Sequence, residues 1–139
     1  MNSRMSGKCL CGAVRFSAVP ESNKMDVCHC NKCRKWSGGV LFAVPCVELQ
    51  IQNEDELRTY RSSEWGERVF CKTCGSNLFW RMMDRSIQVV MIQAFDDPSV
   101  FEFATEAFID EKPDNYAFAN ETKKMTGEEF MAMYAPPQA

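Results

Sequence analysis

Apolar residues along this chain recur at every second position more often than at helical spacing. Val14, Phe16 and Ala18 share one face of an extended segment, and Val47, Leu49 and Ile51 share one face of another. Alternate side chains of a pleated strand point to the same side, so each run predicts a strand with one apolar face. Further strands are expected over positions 57–61, 68–70, 78–81, 87–93 and 101–108, divided by Gly, Asp, Asn, Pro or Ser. Short strands at such spacing imply a mainly β fold of packed antiparallel sheets. One short helix is expected near the end. Thr126 and Glu129 stand at capping-box spacing, Phe130, Met133 and Tyr134 mark an apolar face, and Pro136 and Pro137 stop it. Positions 107–125 are polar and acidic around Pro113 and read mainly as a surface excursion.

No repeat or linker interrupts the pattern, and 139 residues suit one domain, 1–139. A hydrophobic share of 45% with 25% charged residues excludes a disordered chain, and no apolar run is long enough to span a membrane. The net charge of -3 argues against a nucleic-acid partner, which needs a cationic surface. Lys32, Arg34 and Lys35 form a local basic cluster suited to a small anionic ligand. Positions 1–8 lack the apolar stretch of a secretory signal, so the expected location is cytoplasmic. Eight cysteines in a reducing compartment then call for metal rather than disulfides.

Their spacing supports this. Cys9 and Cys11 form C-x-C, Cys28, Cys30 and Cys33 form C-x-C-x2-C, and Cys71 and Cys74 form C-x2-C followed by Gly75. Tetrahedral zinc takes four ligands, so seven clustered cysteines divide into four and three. One partition joins Cys9, Cys11, Cys71 and Cys74 in a closed site and leaves Cys28, Cys30 and Cys33 at an open one. A rival joins Cys30 and Cys33 to Cys71 and Cys74 as a zinc ribbon; spacing leaves both open. Cys46 stands alone and reads as a small buried hydrophobe. His29, the sole histidine, lies between two cysteines of an extended segment. Its side chain is therefore expected to point away from their metal, in an orienting or surface role.

The runs Gly7-Lys8-Cys9-Leu10-Cys11-Gly12, Cys28-His29-Cys30-Asn31-Lys32-Cys33-Arg34-Lys35-Trp36-Ser37-Gly38 and Phe70-Cys71-Lys72-Thr73-Cys74-Gly75-Ser76 resemble the glutathione-dependent formaldehyde-activating enzyme family, which includes a centromere protein V branch. The likeness spans about positions 7–116. It implies a β-tent with zinc sites at its margin and two zinc ions per chain. Cys9, Cys11, Cys71 and Cys74 would hold the structural ion; Cys28, Cys30 and Cys33 would hold the active one. It also implies a carbon-sulfur lyase or synthase that joins glutathione reversibly to formaldehyde. The chain departs from the family pattern at Glu106, where relatives carry histidine. It departs again at Asp114, Asn115 and Tyr116, where they carry tryptophan; both departures bear on the substrate.

Three thiolates around Zn2+ leave a net charge of -1, which favours capture of a thiol over Lewis-acid activation of a carbonyl. Glutathione or a similar small thiol is the expected partner. Arg34 and Lys35 are the candidates to meet its carboxylates, with Trp36 as a wall and Arg81 as a weaker candidate. The competing expectation is a non-catalytic module, a glutathione carrier or chaperone-like protein, whose second zinc is closed by Cys46 or His29.

Overall fold

The computed structural model describes residues 3–134. Ten strands and two helices follow in the order β1 (Met5–Lys8), β2 (Arg15–Pro20), β3 (Lys24–Cys28), α1 (Asn31–Ser37), β4 (Leu41–Gln52), β5 (Leu57–Arg61), β6 (Gly66–Cys71), β7 (Asn77–Met82), β8 (Gln88–Met91), β9 (Glu102–Ala107), β10 (Lys123–Lys124) and α2 (Gly127–Tyr134). The mainly β architecture is as the alternation predicts. All ten strands join one hydrogen-bonded sheet with the path β10-β9-β3-β4-β8-β7-β6-β5, and β2 links β1 to β4 off that path. Most pairings are antiparallel, while β9 runs parallel to β3 and β10 parallel to β9.

The twelve residues of β4 organise the fold. Its first half pairs with β3 and β8, and its second half pairs with β2. Between Ser17 and Val19 the β2 register shifts, and on β4 the intervening Glu48 adopts a positive φ of 51°. This bulge breaks the expected face: Leu49 and Ile51 stay half-buried, while Val47 is turned out to solvent. Along β2 and the residue before it the alternation holds, with Val14, Phe16 and Ala18 all buried. Phe16 packs edge-on against Phe79 with ring centroids 5.0 Å apart. A phenylalanine fully removed from water contributes roughly 1.5–3 kcal/mol.

β6 and β7 have two covered faces, and their alternation decides what the second face carries. Val69, Cys71 and Phe79 turn into the main core. Trp80 turns to the opposite face and packs on a smaller cluster of Cys33, Leu41, Ala43 and Met91 beneath α1. Arg68, one position before Val69, shares that second face and reaches Cys33. The strand expected over 87–93 is shorter, because Ile92–Ala94 forms a 3-10 turn. Trp65 is half-exposed beside Trp80.

Neither α1 nor the strands β1, β3 and β10 are visible in the periodicity. The local chemistry of C-x2-C makes α1: the Cys30 sulfur caps the helix by accepting from the Cys33 N–H, and Gly38 ends it with φ 73°. The capping box of α2 forms as predicted, with Glu129 N–H donating to Thr126 Oγ1 and Thr126 N–H to Glu129 Oε1. Pro136 and Pro137 lie outside the described residues.

The segment 107–125 runs over the surface but is tied back. Met125 N–H donates to the Glu106 carbonyl and Ile109 N–H to the Met125 carbonyl. Lys112 Nζ donates to the backbone carbonyls of Pro113 and Tyr116 and lies over the Tyr116 ring. Phe118 packs inward on Phe42 and Phe103. Among the described residues no helix is long and apolar enough to cross a membrane.

Candidate metal centres

All eight cysteines are free thiols. Two tight turns bring four of them together. The first leaves β1, turns at Gly12 with φ 82°, and aims the Val14 N–H at Cys9 Sγ over 3.3 Å. The second leaves β6 and turns at Gly75 with φ 77°, with Thr73 and Cys74 N–H donating to Cys71 Sγ at 3.4 and 3.5 Å. Glycine is needed at both turns because positive φ is strained for other residues. Ser76 Oγ joins the turns by accepting from the Leu10 N–H at 2.9 Å.

The sulfurs of Cys9, Cys11, Cys71 and Cys74 thus lie within 4.8 Å of one another. Cys9 and Cys11 Sγ are 3.6 Å apart, and Cys11 and Cys71 Sγ 3.8 Å. A tetrahedral ion with metal–sulfur bonds of about 2.3 Å has sulfur–sulfur edges of about 3.8 Å, so the group has the dimensions of a four-thiolate metal site. Hydrogen bonds from the Ser76 hydroxyl and backbone pull the Cys74 thiol down to about 5, which readies it as a ligand.

Cys28, Cys30 and Cys33 form the second group, again with sulfurs within 4.8 Å of one another. β3 delivers Cys28, the extended cap of α1 delivers Cys30, and the first turn of α1 delivers Cys33. Cys28 and Cys30 are half-buried and Cys33 is buried. Hydrogen bonding from the Cys28 and Cys33 thiols, helped by the Arg68 charge, draws Cys30 down to about 2, and the same contact with Cys30 pushes Cys28 up. Three sulfurs this close cannot all ionise beside one another unless a cation neutralises them. A divalent ion held by the three sulfurs would supply that cation. Neither cluster mixes Cys30 and Cys33 with Cys71 and Cys74, as the ribbon partition requires.

His29 points away from the sulfurs, as alternation predicts, but it is fully buried rather than at the surface. Its Nε2 lies 2.8 Å from Glu106 Oε1 and its Nδ1 2.7 Å from Tyr116 Oη. Thr122 Oγ1 donates to Glu106 Oε2 at 2.6 Å, and Lys124 Nζ is 3.7 Å from the same oxygen. Burial would raise the Glu106 carboxyl, yet the Thr122 and His29 hydrogen bonds and the Lys124 charge hold it below its ordinary value. An ionised Glu106 accepts from Nε2–H, and in the neutral imidazole Nδ1 then accepts from the Tyr116 hydroxyl. Both ring nitrogens are thereby engaged. Glu106 and Tyr116, visible in the sequence only as departures from a family pattern, are the partners of the buried histidine.

Of the substrate candidates, Arg34 donates its Nε to the His29 carbonyl at 2.8 Å, Lys35 is exposed, and Trp36 is half-buried beneath the Arg68 guanidinium at 5.1 Å. Arg81 pairs with buried Glu67 at 2.7 Å, away from the sulfurs. Cys46 is buried, lies outside both clusters, and is pushed up to about 12 by burial and the Glu21 charge. Arg68 escaped the sequence reading because a strand arginine carries no signal of its own.

Residues 4–111 match the model of the glutathione-dependent formaldehyde-activating enzyme family. The chain belongs to that family. A Schizosaccharomyces pombe protein named an uncharacterized lyase is 35% identical over 127 residues, spanning 90% of this chain and 93% of the relative. A Halomonas elongata protein, named a candidate glutathione-dependent formaldehyde-activating enzyme, is 33% identical over 85 residues and 54% of each chain. A crystal structure of a Rhodobacter sphaeroides protein superposes with TM-score 0.56 at 22% identity, covering 66% of this chain and 88% of that one. That similarity establishes the fold alone.

Proposed function

We propose that this family member is a zinc-dependent carbon-sulfur lyase or synthase that forms and cleaves the adduct of glutathione with formaldehyde at Cys28, Cys30 and Cys33, while Cys9, Cys11, Cys71 and Cys74 hold a structural zinc. The observation that carries the reading is the inequality of the two clusters, four sulfurs in one and three in the other. The non-catalytic alternative needs a protein side chain to close the second cluster. His29 is committed through both ring nitrogens, and Cys46 lies outside the group. The fourth place is therefore left to an incoming ligand.

A zinc ion there would keep a bound thiol ionised at neutral pH. Cys28, Cys30 and Cys33 position the incoming sulfur, and the half-exposed edge of the cluster admits it. A thiolate held at the three-cysteine site would attack the aldehyde carbon, forming the C–S bond as the carbonyl π pair moves to oxygen, which would take a proton to give the hydroxymethyl adduct. Cleavage is the reverse. His29, held by Glu106 and Tyr116, fixes the backbone between two of the sulfurs, so this buried relay serves the geometry of the site. Arg34 and Lys35, on the helix that carries Cys33, are the cations this reading assigns to the glutathione carboxylates.

The reaction is tested by exchange NMR of carbon-13 formaldehyde with glutathione. Zinc-loaded protein should accelerate exchange between free and adduct carbon above the spontaneous rate, and Cys33→Ala should return it to that rate. Spontaneous exchange in the presence of fully loaded protein contradicts the proposal.

A further inference from the structure

Arg68 is 4% exposed, and a guanidinium stays charged wherever it is placed. Buried charges of this kind are paired. Among the described residues, however, no carboxylate pairs with it: the carboxylates pair with Arg4, Lys24, Arg81, Arg85 and Lys124, or hydrogen-bond to His29. Its Nη1 and Nη2 instead both donate to Cys33 Sγ, at 3.6 and 3.7 Å, and its ring contact is Trp36 at 5.1 Å. The four-sulfur cluster differs in its donors: among the described residues its sulfurs take hydrogen bonds from backbone N–H groups of Val14, Thr73 and Cys74 and from the Ser76 hydroxyl, with no guanidinium among them.

We propose that Arg68 is the fixed counter-charge of the three-sulfur site, a positioning residue that selects an anionic fourth ligand, a thiolate, over neutral donors such as water or imidazole. The second half of this rests on the thiol-capture reading above. Three thiolates and a divalent ion would sum to -1, and Arg68 brings the half-buried cluster to zero. A thiolate then enters a neutral environment and leaves it at -1, whereas without Arg68 it would enter a negative one and leave it at -2. Neutral donors gain nothing from the guanidinium. The fork also withdraws charge from Cys33, which keeps the ion receptive to a fourth sulfur. A unit charge within several ångströms of the entering sulfur, at an effective dielectric of about 20, corresponds to roughly tenfold to hundredfold in thiolate affinity.

The test uses the full chain with zinc in the four-sulfur site and cobalt(II) in the three-sulfur site. Arg68→Met keeps an apolar stem over Trp36 and removes the charge. Its sulfur-to-cobalt charge-transfer band should move to longer wavelength, because Cys33 loses its hydrogen bonds, and glutathione should bind tenfold to hundredfold more weakly. An unmoved band overturns the proposal, as does unchanged glutathione affinity. If wild-type cobalt protein shows no response to glutathione while the variant band still shifts, thiol capture fails and the counter-charge stands. Should Arg68→Met fail to fold by circular dichroism, Arg68→Lys carries the test. Retaining charge without the fork, it should shift the band yet bind glutathione within a few-fold of wild type; an unshifted band again overturns the proposal.

Discussion

Replacing Cys71 by serine should cost the protein about a third of a typical domain's stability, and the number follows from chain topology. Cys71 is fully buried, and the four-sulfur cluster joins a turn near residue 10 to one near residue 72. Cys11 and Cys71 are separated by 60 positions. A cross-link closing a loop of that length removes about 14 cal/mol/K of entropy from the unfolded chain, or about 4 kcal/mol at room temperature. Over 139 residues, at about 2.1 cal/mol/K per residue, this lowers the melting temperature by roughly 14 °C. Urea unfolding of zinc-saturated protein, followed by tryptophan fluorescence, measures the loss. Chelation should inflict a comparable loss on wild type and little further loss on Cys71→Ser. A variant within about 1 kcal/mol of wild type at saturating zinc would refute the claim that the cluster is a metal clasp.

Other predictions concern the frame around the two clusters. Gly7→Ala should destabilise by at least about 1–3 kcal/mol, since an added Cβ would lie 2.3 Å from the Phe16 ring and 2.4 Å from the Ala94 carbonyl. Because Gly7 precedes Cys9 closely, the same variant should hold zinc added to the four-sulfur cluster less tightly in a chelator competition. Glu106→Ala should cost about 3 kcal/mol by stranding buried His29 Nε2–H and the Thr122 hydroxyl, read as a fall in urea stability. The folded Glu106 carboxyl lies below its ordinary 4.5, so its contribution is complete above pH 4.5 and lost as pH falls through the lower folded value. The stability gap between wild type and Glu106→Ala should therefore narrow below pH 4.5; a constant gap contradicts the assigned charge. Tyr116→Phe removes one hydrogen bond to His29 Nδ1 and should cost about 1–3 kcal/mol in the same assay, with Cys28, Cys30 and Cys33 still binding metal.

Alternation located β2 and β5 because one face of β2 is core and the ends of β5 are punctuated by Asp and Ser. It failed at Val47, where the bulge at Glu48 inverts the faces, and a bulge with Glu at positive φ leaves no mark in the hydrophobic pattern. The seven residues of α1 were invisible for a different reason. The helix is too short for periodicity, and its start is set by a cysteine cap that ordinary capping preferences do not include. Cysteine spacing marked the three local groups because each comes from one short stretch of chain, but it left open which groups share a metal, since Cys11 and Cys71 are 60 positions apart. The supporting residues were hidden, since Arg68 is 35 positions from Cys33, and Glu106 and Tyr116 are 77 and 87 from His29. Only the sheet path brings such partners together.

The unequal roles of the two clusters can be read in one spectrum. Protein loaded with cadmium-113 at both sites should give two NMR signals, one from four sulfurs and one from three. Titration with glutathione should move the three-sulfur signal toward the four-sulfur region and leave the other in place. Two signals that both ignore glutathione, or a single bound cadmium per chain, would contradict the account.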